Sequence, residues 1–137
     1  MSVKVENPKR AHGLKKLPME LIPITALVQE AAVYGLGADC PAKAYGRYNW
    51  RATPIDSDTY NGAIGRHLTL WLAGEDIDPE SGVSHIAHIR ACCGILLDAI
   101  DAGTFVDTRR KSPETIRILR AYDGAAMPVV KPAHDET

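Results

Sequence analysis

The densest chemistry in this 137-residue chain lies between Arg66 and His88. Arg66 and His67 sit in an apolar helical pattern that stops near Gly74. Glu75, Asp76, Asp78 and Glu80 then place four carboxylates within six residues. His85 and His88 follow three residues apart at the start of a second helical pattern, and so share one face. Carboxylates bracketed by imidazoles can hold a divalent cation, the oxygens favouring Mg²⁺ or Mn²⁺ and the imidazoles admitting softer metals. A plainer alternative is helix capping, with Asp78 as cap, Pro79 in the first turn, and Glu80 and Ser81 at the positive end of the dipole. A cap needs only one of the four acids.

A second cluster, Lys43-Ala-Tyr45-Gly46-Arg47-Tyr48-Asn49-Trp50-Arg51, packs three aromatics, three cations and an amide into nine residues. Aromatic faces stack on bases and cations meet phosphates, which is the composition of a nucleotide pocket. The competing explanation is that Tyr45 and Trp50 pack beneath a loop, but packing does not account for the cations. Nearer the N-terminus, Gly13-Leu14-Lys15-Lys16-Leu17-Pro18 sets paired lysines beside apolar anchors. These lysines either face phosphate or belong to a solvated arm.

Helices must position these residues. Leu27, Val28, Ala31, Ala32 and Val33 predict an amphipathic helix over about 25–36, capped by Thr25 and ended by Gly35 and Gly37. The spacing predicts a second helix over 60–74 and a third from 82 or 83 to about 102. The third is apolar on more than one side, as expected of a central helix or of one that also meets a partner subunit. Ser112-Pro113-Glu114 predicts a fourth, running to about 122. No β-alternation of any length appears, so the expected fold is all-α: a bundle of about four helices in a single domain over 1–137. An irregular N-terminal arm over about 1–18 and a loose C-terminal tail over about 124–137 complete it.

Apolar residues at 45% and charged residues at 24% are ordinary for a globular domain, and a formal net charge of −1 argues against a general nucleic-acid-binding surface. Arg109-Arg110-Lys111 reads as a solvated connection between helices. Cys40, Cys92 and Cys93 make no even disulfide set, and the adjacent pair is expected to be buried free thiol. His88 and Cys92, four apart, make zinc conceivable, but no paired C-x-x-C supports it. A polar N-terminus and the lack of a long apolar run predict a cytoplasmic protein that binds no membrane.

Gly13-Leu-Lys15-Lys16-Leu-Pro18, Lys43-Ala-Tyr45-Gly46-x-x-Asn49-Trp50-Arg51, Arg66-His67-Leu68 and Gly74-Glu75-x-x-Asp78-x-Glu80-Ser81-Gly82-x-x-His85-x-x-His88 occur in one order. As a set they resemble the phage dATP/dGTP diphosphohydrolases, the MazZ-like branch of the MazG-type pyrophosphohydrolases, over about Gly13 to Gly103. The resemblance implies a MazG-like helical enzyme, a homodimer or homotetramer, that converts purine deoxynucleoside triphosphates such as dGTP and dATP to monophosphate and pyrophosphate. It further implies Mg²⁺ or Mn²⁺, roughly two or three per site, in the cytoplasm of a phage host. There the enzyme would adjust the nucleotide pool or supply dGMP for DNA containing 2-aminoadenine.

The chain departs from the wider MazG pattern of E-x-x-E on one helix and E-x-x-D on the next. Glu75-x-x-Asp78 is the one match, and His85-x-x-His88 stands where carboxylates are expected. On this reading Glu75, Asp78, Glu80 and His85 are candidate metal ligands, with His85 or His88 as ligand or general base. Lys15, Lys16, Lys43, Arg47, Arg51 and Arg66 are candidates for the phosphates, with His67 beside them. Tyr45, Asn49 and Trp50 would hold base or sugar. The alternatives are a non-catalytic nucleotide-binding module, which would tolerate loss of the acids, and a structural oligomer with His85 and His88 at a subunit contact.

Overall fold

The computed structural model describes residues 6–41 and 43–122; the expected C-terminal tail lies outside them. The first unit of the chain extends to Asp107 and a second begins at Thr108. In the first unit the order is α1 (Pro8–Gly13), α2 (Ile24–Asp39), β1 (Ile55–Asp56), α3 (Ser57–Leu72), α4 (His85–Ala102) and β2 (Phe105–Val106), with single 3-10 turns at Met19–Leu21 and Asn49–Arg51. The fold is mostly helical, as expected. The second unit contains α5 (Pro113–Ala121), capped by Ser112, whose hydroxyl accepts from Thr115 N–H, and braced by Glu114–Arg117 one turn apart. No helix among the described residues is long and apolar enough to cross a membrane.

The helix ends follow local chemistry. Within the arm expected to be irregular, Asn7 caps α1 and Pro8 supplies its preset first turn. In α2 the cap is Pro23 rather than Thr25. Gly35 and Gly37 do not end it, because a mid-helix glycine costs only about 1 kcal/mol. The stop comes at Cys40, before Pro41, which cannot donate the next hydrogen bond. α3 opens earlier than the apolar pattern suggested, because Asp56 accepts from both Thr59 N–H and Thr59 Oγ1–H at 2.8 Å.

Residues 73–84 form a tight turn rather than the start of a helix. Asp78 N–H donates to Val83 O, Gly82 N–H to Asp78 O, and His85 N–H to Asp76 O. Asp78 Oδ1 accepts from Glu80 N–H at 3.0 Å, so Asp78 caps a turn, and Ser84 caps α4. Gly103, left-handed at φ 76°, closes α4. The chain then returns as β2 to lie parallel to β1, with Ile55 opposite Phe105. This two-residue pair is too short to show as alternation in the sequence.

α4 packs against both α2 and α3. Its inward face is small, with Ala87, Ala91 and Ala99 buried along with Ile55 of β1. α2 and α4 approach closely at Gly94, where an added Cβ would overlap the Tyr34 hydroxyl and crowd Glu30 Oε1 at 2.9 Å. Tyr34 donates to Glu30 at 2.7 Å, and Arg90 of α4 donates to the same carboxylate at 2.6 Å. Gly94→Ala is therefore expected to lower stability. The overlap costs roughly 1–3 kcal/mol and outweighs the helix-propensity gain of about 1 kcal/mol. A urea midpoint below that of the parent confirms this; an equal or higher midpoint would mean that Tyr34 moves aside freely.

Candidate active site

Three elements converge on one group of side chains: the C-terminal half of α3, the acidic turn, and the first turn of α4. His67, Asp78 and His88 offer ligand atoms that all lie within 4.8 Å of one another. The His67 and His88 rings stack with centroids 4.4 Å apart and planes only 7° from parallel. His88 Nε2 lies 2.7 Å from Ser81 Oγ and 3.5 Å from Asp78 Oδ2. One ion with bonds of about 2.1 Å spans donors up to about 4.2 Å apart. The three donors are thus close enough for a small inward movement to bring them onto one divalent ion, and two imidazoles with a carboxylate suit such an ion.

His85 lies behind this cluster and is fully buried. Its Nε2 is 2.7 Å from Glu75 Oε1 and its Nδ1 is 2.8 Å from His67 Nδ1. Both ring nitrogens are thus occupied within the protein. Burial, and then the neighbouring His85, lowers the pKa of His67; burial, and then His67, lowers that of His88. Both rings are neutral near pH 7 and keep a lone pair. Of the four residues expected as metal ligands, Asp78 joins the three-residue cluster, while Glu75 and His85 pair with each other. Glu80 is exposed, with its Oε1 3.7 Å from Lys43 Nζ.

A cavity of about 560 Å³ opens beside the cluster. Its lining includes Lys43, Tyr45, Gly46, Asn49 and Trp50 together with Glu80, Ser81, His88 and Cys92. The volume is ordinary for a small-molecule site. Residues thirty or more positions apart in sequence thus face one space. Burial raises the pKa of Cys92, so it is a protonated thiol in this wall, whereas its neighbour Cys93 is exposed and not buried as expected.

The other expected phosphate cations lie elsewhere. Arg51 donates to Asp98 through Nε and Nη2 and to Asp101 at 3.1 Å, and Trp50 Nε1–H donates to Asp98 at 2.6 Å. Arg51 therefore fastens the aromatic loop to α4. Arg47 is paired with Asp39 at 2.9 Å and lines a second cavity of about 540 Å³ with Tyr34, Tyr48, Trp50 and Asp98. Tyr34 and Trp50 line both cavities. Lys15 and Lys16 are exposed in the turn after α1, and Arg66 is exposed on α3; none of them lines either cavity. The sequence reading missed Glu30, Tyr34, Arg90 and Asp98. Glu30 and Tyr34, four apart on α2, were the available signal.

A family model described as dATP/dGTP diphosphohydrolase, N-terminal, matches residues 6–109. The matched span holds both clusters, the cavity and all of α1 to α4. No curated relative and no solved structure matches the chain.

The Asp98 clamp generates a pH prediction. Hydrogen bonds from Arg51 and then Trp50 hold the Asp98 carboxyl at about 2, below the ordinary value near 3.9. A depressed folded-state pKa adds stability above the unfolded value and loses it as pH falls through the folded one. Asp98→Asn is expected to lower the melting temperature at pH 7, with the gap to the parent shrinking from about pH 4 to about pH 2. A gap of constant size across that range would show that the Asp98 charge contributes nothing.

Proposed function

The chain belongs to the dATP/dGTP diphosphohydrolase family, which makes it a nucleoside triphosphate pyrophosphohydrolase, and we propose that its reaction runs in the cavity between the Lys43–Trp50 loop and the histidine cluster. The observation that carries this reading is the juxtaposition itself: aromatic, amide and cationic groups line the same cavity as Glu80, Ser81 and His88. A purine deoxynucleoside triphosphate such as dGTP or dATP has a matching division into a flat base and a chain of about four negative charges.

In this reading Tyr45 and Trp50 hold the base by stacking and Asn49 meets a polar base or sugar edge. Lys43 exchanges its exposed pair with Glu80, which contributes little to stability, for the phosphates. Glu80 is then free to orient a water and accept its proton as the water oxygen bonds to the α-phosphorus. The α–β bridging bond breaks and pyrophosphate leaves, giving monophosphate. A divalent ion held by His67, Asp78 and His88 would supply charge neutralisation for the phosphate oxygens and the leaving group. The reaction removes dGTP and yields dGMP, the form that a synthase of 2-aminoadenine nucleotides for phage DNA would consume.

We further propose that the working form is a homodimer or homotetramer. Among the described residues the buried apolar core consists of Ile55 and three alanines, too little for a free-standing domain of this size. Meanwhile Ile86, Cys93, Leu97 and Ile100 form an exposed stripe at helical spacing along α4, with Leu97 72% exposed. Leu68, Trp71 and Leu72 do the same at the end of α3. A second copy presenting the same stripe buries both, in the self-complementary manner of two-fold dimers.

Two outcomes follow. Chromatography of dGTP and dATP reactions should show monophosphate plus pyrophosphate, abolished by chelator, with Asp78→Asn lowering kcat/KM at least about 100-fold in a folded protein. Orthophosphate release, or full activity in Asp78→Asn, would refute the assignment of bond or residue. Nucleotide binding without turnover would instead favour a binding module. Light scattering should give a multiple of the 14.9 kDa chain, and Leu97→Glu should reduce that multiple; a monomeric parent would refute the oligomer.

A further inference from the structure

We propose that the cluster is a nitrogen-rich centre, His67, Asp78 and His88, selective for Mn²⁺, Co²⁺ or Zn²⁺ over Mg²⁺, in which His85 is a positioning residue that prepares His67 for ligation. The inference deepens the reading of this cavity as the reaction site and rests on it for its catalytic meaning; metal binding itself is measured without nucleotide.

The donor set decides the class of ion. Mg²⁺ demands near-octahedral oxygen coordination and seldom accepts imidazole, whereas the later first-row ions bind imidazole well. An all-carboxylate site is not assembled here. Glu75 Oε1 is engaged by His85, Glu80 lies beside Lys43, and Asp78 is the single carboxylate among the three grouped donors.

The hydrogen-bonded chain Glu75–His85–His67 sets which nitrogen is available. A carboxylate can only accept, so His85 Nε2 donates to Glu75 Oε1. In the neutral ring His85 Nδ1 is then an acceptor, and the hydrogen that it receives at 2.8 Å comes from His67 Nδ1–H. His67 is left with its lone pair on Nε2. This is the role of a carboxylate–histidine pair behind a metal-binding imidazole: it fixes the tautomer, holds the ring and raises its basicity. His85 cannot itself reach the cavity, since it is fully buried with both nitrogens occupied. Its burial at the first turn of α4 and its contacts with both α3 and the acidic turn make this chain rigid.

The test is calorimetric titration of chelator-treated protein with MnCl₂, CoCl₂, ZnCl₂ and MgCl₂ in the absence of nucleotide, together with the visible spectrum of the Co²⁺ form. One of the three later ions should bind at least about tenfold more tightly than Mg²⁺, and the Co²⁺ bands should disappear in Asp78→Asn and His88→Gln. Glu75→Gln and His85→Phe should weaken Co²⁺ binding about 10–100-fold. His85→Gln, whose amide oxygen can still accept from His67, should restore part of that loss. Nitrogen-15 NMR of the imidazoles should show His67 protonated at Nδ1 in the parent and mixed in His85→Phe. If His85→Phe does not fold, the surface-accessible Glu75→Gln decides the point. Equal Mg²⁺ affinity, or Co²⁺ binding unchanged in folded Glu75→Gln, overturns the inference. Selective binding without turnover supports it and overturns the reading of the reaction site instead.

Discussion

The structure around the site depends on how one buried imidazole is satisfied. His85 sits at the first position of α4 with no exposure, and a buried ring with an unpaired nitrogen would cost roughly 1–3 kcal/mol. Glu75 from the acidic turn and His67 from α3 supply its two partners. Those bonds bring together three elements that local propensity would leave independent, and the backbone bond from His85 N–H to Asp76 O adds a third tie. With α3 and α4 joined at this end, the strand pair of Ile55 and Phe105 closes the other. The hairpin between them has little freedom in register.

That arrangement explains why α4 has so small a core face. Alanines at 87, 91 and 99 let the helix approach its neighbours closely, and Gly94 admits the Tyr34 hydroxyl on the α2 side. Close approach brings Glu30 within reach of Arg90 and burial raises the Tyr34 pKa, so α2 and α4 meet through polar bonds as much as through apolar area. Of the larger apolar side chains of α4, Ile89, Ile95 and Leu96 are half-buried, whereas Ile86, Leu97 and Ile100 point away into an exposed stripe. The polar seam and the exposed stripe are two sides of one packing solution.

Much of this was legible in the residues, and the rest was hidden for definable reasons. The helical class, the Ser112 start of α5 and the Gly103 stop of α4 follow from local chemistry that operates at the same position in the structure. The density of acids and imidazoles between Glu75 and His88 marked the right region. Composition cannot say which donors meet, however. Asp78 and Glu80 are two apart, yet the turn sends one toward His88 and the other toward Lys43. Arg51 has the type of a phosphate cation, but Asp98 and Asp101 sit one α4 face away, forty-seven and fifty residues on in sequence. Such long-range pairings leave no periodic trace. Pro79 looked like a helix opener because proline presets φ for a first turn and for a β-turn alike.

The same limits govern how the site could have arisen from its parts. The Lys43–Trp50 loop has little regular structure, and its position is set by Asp98, which takes hydrogen bonds from Trp50 and Arg51 together, and by Thr104, whose hydroxyl donates to Trp50 O at 2.5 Å. Both anchors belong to α4 or the turn that follows it. The histidine cluster is anchored to the opposite end of that helix through His85 and His88. One helix therefore carries the wall that would read a base and the wall that would handle phosphates, at a spacing fixed by the rise from His85 to Asp98. Thirteen residues at about 1.5 Å each separate those anchors by about 20 Å, longer than a triphosphate. Lys43 and Glu80 bridge that distance, their charged groups 3.7 Å apart beside the cavity. Cys92 and Ala91, which line the cavity at that midpoint, are small enough to leave them room.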